Sequence, residues 1–411
     1  MSEPSHPPTE LLAGEGVRLD RFYADLALAG VGSLTAFACG SALGIPWELQ
    51  AAPRTTDELQ MNGRDPFLAG EWGTDVQLAL CVAEVAGAGA HSLEEMCEAI
   101  ARRIVAWYET DPVHVPMGLQ RVISLALDPL IAPSTATERL LRVGCGQLGR
   151  DGFSYARALR EVARYRQEAT RITERMVENF GLALMVPVAL ASVADDVECS
   201  RTAIAVSTMT TADDFSLALN LSFAHAVRNT IIASAHGVPW TEAVRFDHAI
   251  ATAIEQGEYA LGGLEIDGVQ VLDEDGFSPR VVNQLEDLAS QCASGLGQGS
   301  SGGVGTGLDA VSAFRRVVAA IETARWEVHR NPHLTPVRVG IEQAVRAGGD
   351  TDTVAALCGA IMGAACGASA VPSEWVSTIW GWPGLRADGL RDLATACVYS
   401  GLARTAQLPS Q

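Results

Sequence analysis

The densest chemistry in the chain lies in Gly348 to Gly367, GGDTDTVAALCGAIMGAACG. Two carboxylates at i and i+2, Asp350 and Asp352, follow paired glycines and alternate with Thr351 and Thr353 where a helix begins. The glycines allow a tight turn, so both carboxylates can aim at one point with the Thr353 hydroxyl beside them. An all-oxygen cluster of this kind suits a hard cation such as Mg²⁺ or Mn²⁺. The alternative is that these residues only cap the helix and complement its dipole. Capping accounts well for one aspartate and poorly for two.

The elements that would position this cluster are helical. Val354 to Pro372 carries no charged side chain, a length that could cross a bilayer. Ala, Gly, Cys and Ser prevail there over Leu, Ile and Phe, however, and Asp350 and Asp352 stand at its mouth, so the composition predicts a small-residue helix in a helical core. Ser92 and Glu95 form a capping box for a helix over Leu93 to Tyr108, with Met96, Ile100, Ile104 and Trp107 on one face. Tyr155 to Phe180 and Trp240 to Glu255 repeat helical periodicity, and only Leu264 to Leu272 suggests a hairpin. The expectation is an all-α protein with a flexible segment over 1–20 and a single domain over 21–405. Gly295 to Gly307 (GLGQGSSGGVGTG) has too many glycines for a helix and reads as a mobile loop within that domain.

Composition removes several function classes. The 411 residues carry 29 Lys plus Arg against 49 Asp plus Glu, a net charge of −20 that repels nucleic acid and anionic membranes. Lysine is absent altogether, which excludes Schiff-base chemistry, Walker A nucleotide binding and the kinase ion pair. Nine cysteines stand singly without metal-finger spacing and read as buried residues in a reducing compartment. The polar start, MSEPSHPPTE, lacks the form of a signal peptide, so a cytoplasmic location is expected. His225, His236, His248 and His329 have no partner spacing and read as packed or surface residues.

Ala344 to Trp375, from the GGDTDT motif through the small-residue helix to Pro372 and Trp375, resembles the C-terminal signature of the ADP-ribosylglycohydrolase family. Further blocks follow the family order. Gly32 to Glu48, GSLTAFACGSALGIPWE, is similar to the N-terminal pattern at Gly40, Ala42, Leu43, Gly44, Pro46 and Glu48, with Ser41 in place of its aspartate. Trp72 to Leu80, WGTDVQLAL, resembles W-T-D-D-T-Q-L-A-L. Anchored on Trp72 and Gln77, the family's Thr-Asp-Asp falls on Gly73, Thr74 and Asp75; anchored on Thr-Asp, it falls on Thr74, Asp75 and Val76. Either register lacks one carboxylate. Asn179 to Pro187 keeps the spacing of a substrate-gripping block but has Phe180 for its glycine and Leu184 for its arginine. Thr211 replaces a histidine and Gly303 a tyrosine.

The resemblance implies a compact, orthogonal, multi-helix bundle holding Mg²⁺ or Mn²⁺ and hydrolysing a bond at the anomeric carbon of ADP-ribose. Carried over, Thr74, Asp75, Asp350, Asp352 and Thr353 are the metal ligands, and Glu48, Asp75 and Asp352 the catalytic set. Asn179, Ser301, Gly302, Gly303 and Val304 contact substrate. With one carboxylate missing, the site holds one or two ions or none. The expected partner is a small ribosyl or nucleotide substrate or an ADP-ribosylated acceptor, without nucleic acid or membrane. The other reading is a catalytically impaired member that binds a nucleotide ligand or a protein.

Overall fold

Small residues at four-residue spacing, Gly32, Ala36, Gly40 and Gly44, run along one long helix, Thr9–Gly44. The first three meet Gly363, Gly359 and Ala355 of the Thr351–Cys366 helix at backbone contact, and Gly44 meets Thr351 and Asp352. A Cβ added to Gly40 would overlap the Ala355 carbonyl, one on Gly359 the Ala36 carbonyl, and one on Gly363 the Gly32 carbonyl. No larger residue fits this seam, which explains the Ala/Gly-rich composition of both helices. The computed structural model of the protein describes residues 9–89, 92–127, 154–170, 178–266, 268–294 and 305–407.

Around this pair pack the helices Phe180–Ala191, Asp214–Ala235, Pro336–Arg346 and Ala387–Gln407, with Ala310–Arg330 against the second of the pair. The Phe180–Ala191 helix is buried along its whole length. Thr74–Ala88 packs on Phe180–Ala191 and Ala387–Gln407, and Leu93–Tyr108 covers its outer side. Asp20–Trp47 is long and apolar enough to cross a membrane, with mean hydropathy 1.7, but its most apolar window is 94% buried within the protein. It is the central helix of this core.

The architecture is all-α, as expected, and the Ser92–Glu95 capping box forms with both reciprocal hydrogen bonds. Met96, Ile100, Ile104 and Trp107 are all buried. The expected hairpin appears as Glu265–Ile266 paired antiparallel with Val269–Gln270. Two helical expectations need correction. Trp240 to Glu255 is not continuous: Trp240–Ala243 ends at an extended Val244, and a new helix runs Phe246–Tyr259. Val244 is buried and its carbonyl accepts from Arg325 Nη2 at 2.6 Å, which holds the break. Tyr155 to Phe180 is likewise broken: one helix spans Tyr155–Thr170, and Phe180 opens another after Asn179. The segment Gly295 to Gly307 lies outside the described residues up to 304.

The helix seam gives a first prediction. Gly359→Ala is expected to cost about 3 kcal/mol, because the intruding methyl meets backbone that cannot rotate away. The denaturant midpoint reads this directly, and an unchanged midpoint would show that the two backbones are not in contact.

Candidate active site

Three chain segments bring carboxylates to one place. The Thr9–Gly44 helix runs into a short 3-10 turn, Ile45–Trp47, and delivers Glu48. Asp75 lies in the first turn of Thr74–Ala88, and Asp350 and Asp352 at the start of Thr351–Cys366. Carboxylate oxygens of Glu48, Asp350 and Asp352 lie within 4.8 Å of one another. Asp75 joins the cluster through Thr353, whose hydroxyl donates to Asp75 Oδ2 at 2.5 Å.

Each approach has a local cause. Gly348 and Gly349 take φ of 71° and 76°, and a side chain on Gly349 would strike the Thr306 carbonyl; only glycine allows this turn. Thr351 Oγ1 donates to the Gly44 carbonyl at 2.8 Å, tying the two segments together. On the Thr74 side, the Trp72 amide donates to the Trp380 carbonyl and its indole to the Trp382 carbonyl, both at 3.1 Å. Trp380–Gly381 and Leu385–Arg386 form a small antiparallel hairpin that the sequence reading missed, and it braces Trp72 just before Gly73, Thr74 and Asp75.

Ser41 accepts from the Gly73 amide at 3.0 Å, so its hydroxyl fixes the start of the Asp75 helix. Thr74 faces the cavity and donates to the His114 carbonyl at 3.0 Å, while Val76 is buried in the apolar core. Thr74 and Asp75 thus both line the cavity.

Without a cation the cluster is electrostatically crowded. Burial, then the charge of Asp350, push Asp75 up to about 7, while the Thr353 hydroxyl opposes the rise. Asp352 is raised well above the carboxylate range by burial and by the charges of Asp350, Glu48 and Asp75. Burial and Asp350 also raise Glu48, against the lowering influence of His114 and Arg64. Asp352 Oδ1 is buried without a hydrogen-bond partner. A buried, unpartnered carboxylate oxygen facing other anions is unstable unless it is protonated or bound to a cation. The donor set of carboxylates and threonine hydroxyls therefore fits Mg²⁺ or Mn²⁺.

Asn179, which the resemblance assigns to substrate, lines the cavity. Its amide nitrogen donates to Asp350 Oδ2 at 2.5 Å and to the Gly307 carbonyl at 2.6 Å. It aims Asp350 and holds the chain at Gly307 against it. Ser301, Gly302, Gly303 and Val304 lie outside the described residues. Leu184 is buried in the core, so no guanidinium enters the site there.

Arg316, which sequence reasoning did not single out, carries a buried guanidinium beside the turn before Asp350. Its Nε donates to the Gly305 carbonyl at 2.8 Å and its Nη1 to the carbonyls of Ala347 at 3.0 Å and Gly348 at 2.6 Å. Arg316 thus clips the chain before Gly307 to the turn before Asp350, where the Asp350 amide also donates to the Thr306 carbonyl. Arg316→Met is expected to destabilise the protein by about 3 kcal/mol, because one buried and two part-buried carbonyls lose their donor at once. Arg316→Lys should recover part of this, since an ammonium lacks the fork that spans separate carbonyls. Equal denaturant midpoints for wild type and Arg316→Met would refute the clip.

The cluster floors a cavity of about 430 Å³ whose lining includes Glu48, Thr74, Asp75, Asp350, Asp352 and Thr353. Arg64, His114 and Glu178 also line it, none of which the sequence reading placed there. Arg64 Nη1 donates to the Glu48 carbonyl at 2.6 Å, fixing the backbone that carries the carboxylate. His225 is fully buried against Ser200, with Nε2 and Oγ 2.9 Å apart, and lies in the core as expected.

Comparison with known proteins bears on the family and the fold. A family model described as ADP-ribosylglycohydrolase matches residues 24–406. Among solved structures, one titled "ADP-ribosylglycohydrolase-related protein complex" aligns with a TM-score of 0.56 and 17% identity, covering 92% of this chain and 99% of that one. At that identity the likeness is one of fold. No curated protein matches the chain.

Proposed function

The chain belongs to the ADP-ribosylglycohydrolase family, and from that premise we propose that it is a divalent-cation-dependent hydrolase. It cleaves a bond at the anomeric carbon of an ADP-ribosyl or related ribosyl substrate. The observation that carries this reading is the convergence of four buried or half-buried carboxylates on the floor of one cavity, with Asp352 Oδ1 left unpartnered.

Asp350, Asp352, Asp75, Thr353 and Thr74 would hold Mg²⁺ or Mn²⁺. When bound, the cation supplies Lewis acidity and a template for the ribose hydroxyls. Glu48 orients a water and takes its proton as the water oxygen bonds to the anomeric carbon and the bond to the leaving group breaks. A carboxylate raised by burial is a better base for this step than an ordinary one. Asn179 keeps Asp350 in place, and Arg64 keeps the Glu48 backbone in place. The eight described cysteines, all free, suit a reducing compartment, which we take to be the cytoplasm.

A second reading, a binding module without turnover, draws on Thr74 in place of a carboxylate and on Ser41 being engaged with Gly73. Release of ribose-containing product from an ADP-ribosyl and nucleoside panel, with Mg²⁺, with Mn²⁺ and with chelator, separates the two. Cation-dependent release is the expected result. Binding of ligand without release would establish the second reading, and release that persists in chelator would overturn the metal assignment.

A further inference from the structure

Four exposed apolar side chains gather at the mouth of this cavity. Leu49, Val113, Met117 and Leu308 are 56%, 55%, 67% and 51% exposed, and all four line it. Single exposed apolar residues are ordinary on any protein surface, but four from separate segments facing one opening are not. Phe67 and Phe180 extend the same apolar wall inward. Arg64, Asp65 and His114 are exposed on the same lining, so the cavity combines a carboxylate floor that matches sugar hydroxyls and a cation with an outer part where these four apolar side chains stand beside a few polar ones.

The position of Leu49 ties the mouth to the reacting bond. It follows Glu48 directly and sits at φ 53°, in the left-handed region that costs a non-glycine residue about 1–2 kcal/mol. Its amide donates to the Gly349 carbonyl at 2.8 Å, which holds that conformation against the turn before Asp350. The backbone is thus held in an unfavourable state that leaves a leucine in solvent beside the Glu48 carboxylate. Such a cost persists where the exposed side chain has a use.

We propose that the group leaving the anomeric carbon is an uncharged aryl or alkylaryl group seated on Leu49, Val113, Met117 and Leu308. This assignment rests on the hydrolase reading above and names the leaving-group class for the same site. Seating such a group removes apolar surface from water on both partners, so each methylene that reaches the mouth should improve recognition about fourfold.

The test uses the full-length protein with Mn²⁺ and three ribosides, phenyl, 4-ethylphenyl and 4-butylphenyl. Their leaving groups are nearly equal in acidity, so differences in kcat/KM report seating rather than bond strength. The expected result is a rise along the series, flattened by Met117→Ser and by Leu308→Ser and retained in Tyr259→Ser, which changes an exposed aromatic outside the cavity. Turnover with equal kcat/KM across the series would overturn the apolar leaving group while leaving the hydrolase reading intact. If none of the three is cleaved, the hydrolase reading fails for these glycosides, and calorimetric binding decides the mouth. Affinity that climbs along the series and flattens in Met117→Ser supports an apolar seat; affinity that is flat in the wild type overturns it.

Discussion

Asp352→Asn is expected to abolish divalent-cation binding and to lower turnover by about 10²–10³, while raising the melting temperature of the cation-free protein. The two effects have one cause. Asp352 is half-buried among Asp350, Glu48 and Asp75, its buried Oδ1 has no partner, and its proton affinity is raised by desolvation and by all three neighbours. In the absence of cation this arrangement opposes folding near neutral pH. Asparagine keeps the shape and the hydrogen-bonding capacity and removes the charge, so the apo fold should gain about 1–2 kcal/mol, a common size for relief of a functional strain. The same change takes away the oxygen best placed to hold the ion. Calorimetry with Mn²⁺ and thermal melts in chelator read the two arms separately. A lower melting temperature with unchanged Mn²⁺ affinity would mean that Asp352 is an ordinary helix-start residue.

What the sequence disclosed about this site was what is encoded locally. The D-T-D-T spacing, the paired glycines before it and the charge-free helix after it lie within twenty consecutive residues, and their placement follows from helix geometry alone. The hairpin at Leu264 to Leu272 and the capping box at Ser92 are local in the same sense. Arg316 could not be found this way. It stands beside Arg315 on an amphipathic helix, and only tertiary contacts bury one and leave the other half-exposed.

The same holds for Arg64 and His114, which reach the cavity from loops with no motif, and for the Trp380 hairpin, which is recognisable only once Trp72 is seen packed on Gly381. The helix seam was legible in principle. Gly32, Ala36, Gly40 and Gly44 repeat at four-residue spacing, which is the pattern of a close helix contact. The break at Val244 needed Arg325, eighty-one residues away, to receive the carbonyl that the helix gave up.

The stabilisation conferred by Mn²⁺ is expected to grow steeply between about pH 5 and pH 8. Asp75 moves from 3.8 in the unfolded chain to about 7 in the cation-free fold, and Asp352 and Glu48 are also raised. Over that window the native state binds more protons than the unfolded state, so the slope of stability against pH is negative. The cation-free protein should therefore lose stability as pH rises through the folded values, on the order of 4 kcal/mol from Asp75 alone.

With Mn²⁺ present the carboxylates are held ionised, and this loss should disappear. Elsewhere, burial lowers His225 to about 4, which contributes the opposite slope between about 4 and 6.5 because the unfolded imidazole binds a proton that the buried one refuses. His225 is remote from the site and contributes equally with and without cation. The difference between melting temperatures in Mn²⁺ and in chelator therefore isolates the cluster. That difference should widen with pH in the wild type and flatten in Asp352→Asn. A difference independent of pH would mean that the carboxylates are not crowded against one another in the cation-free protein, and that the cluster does not require a cation to be stable near neutral pH.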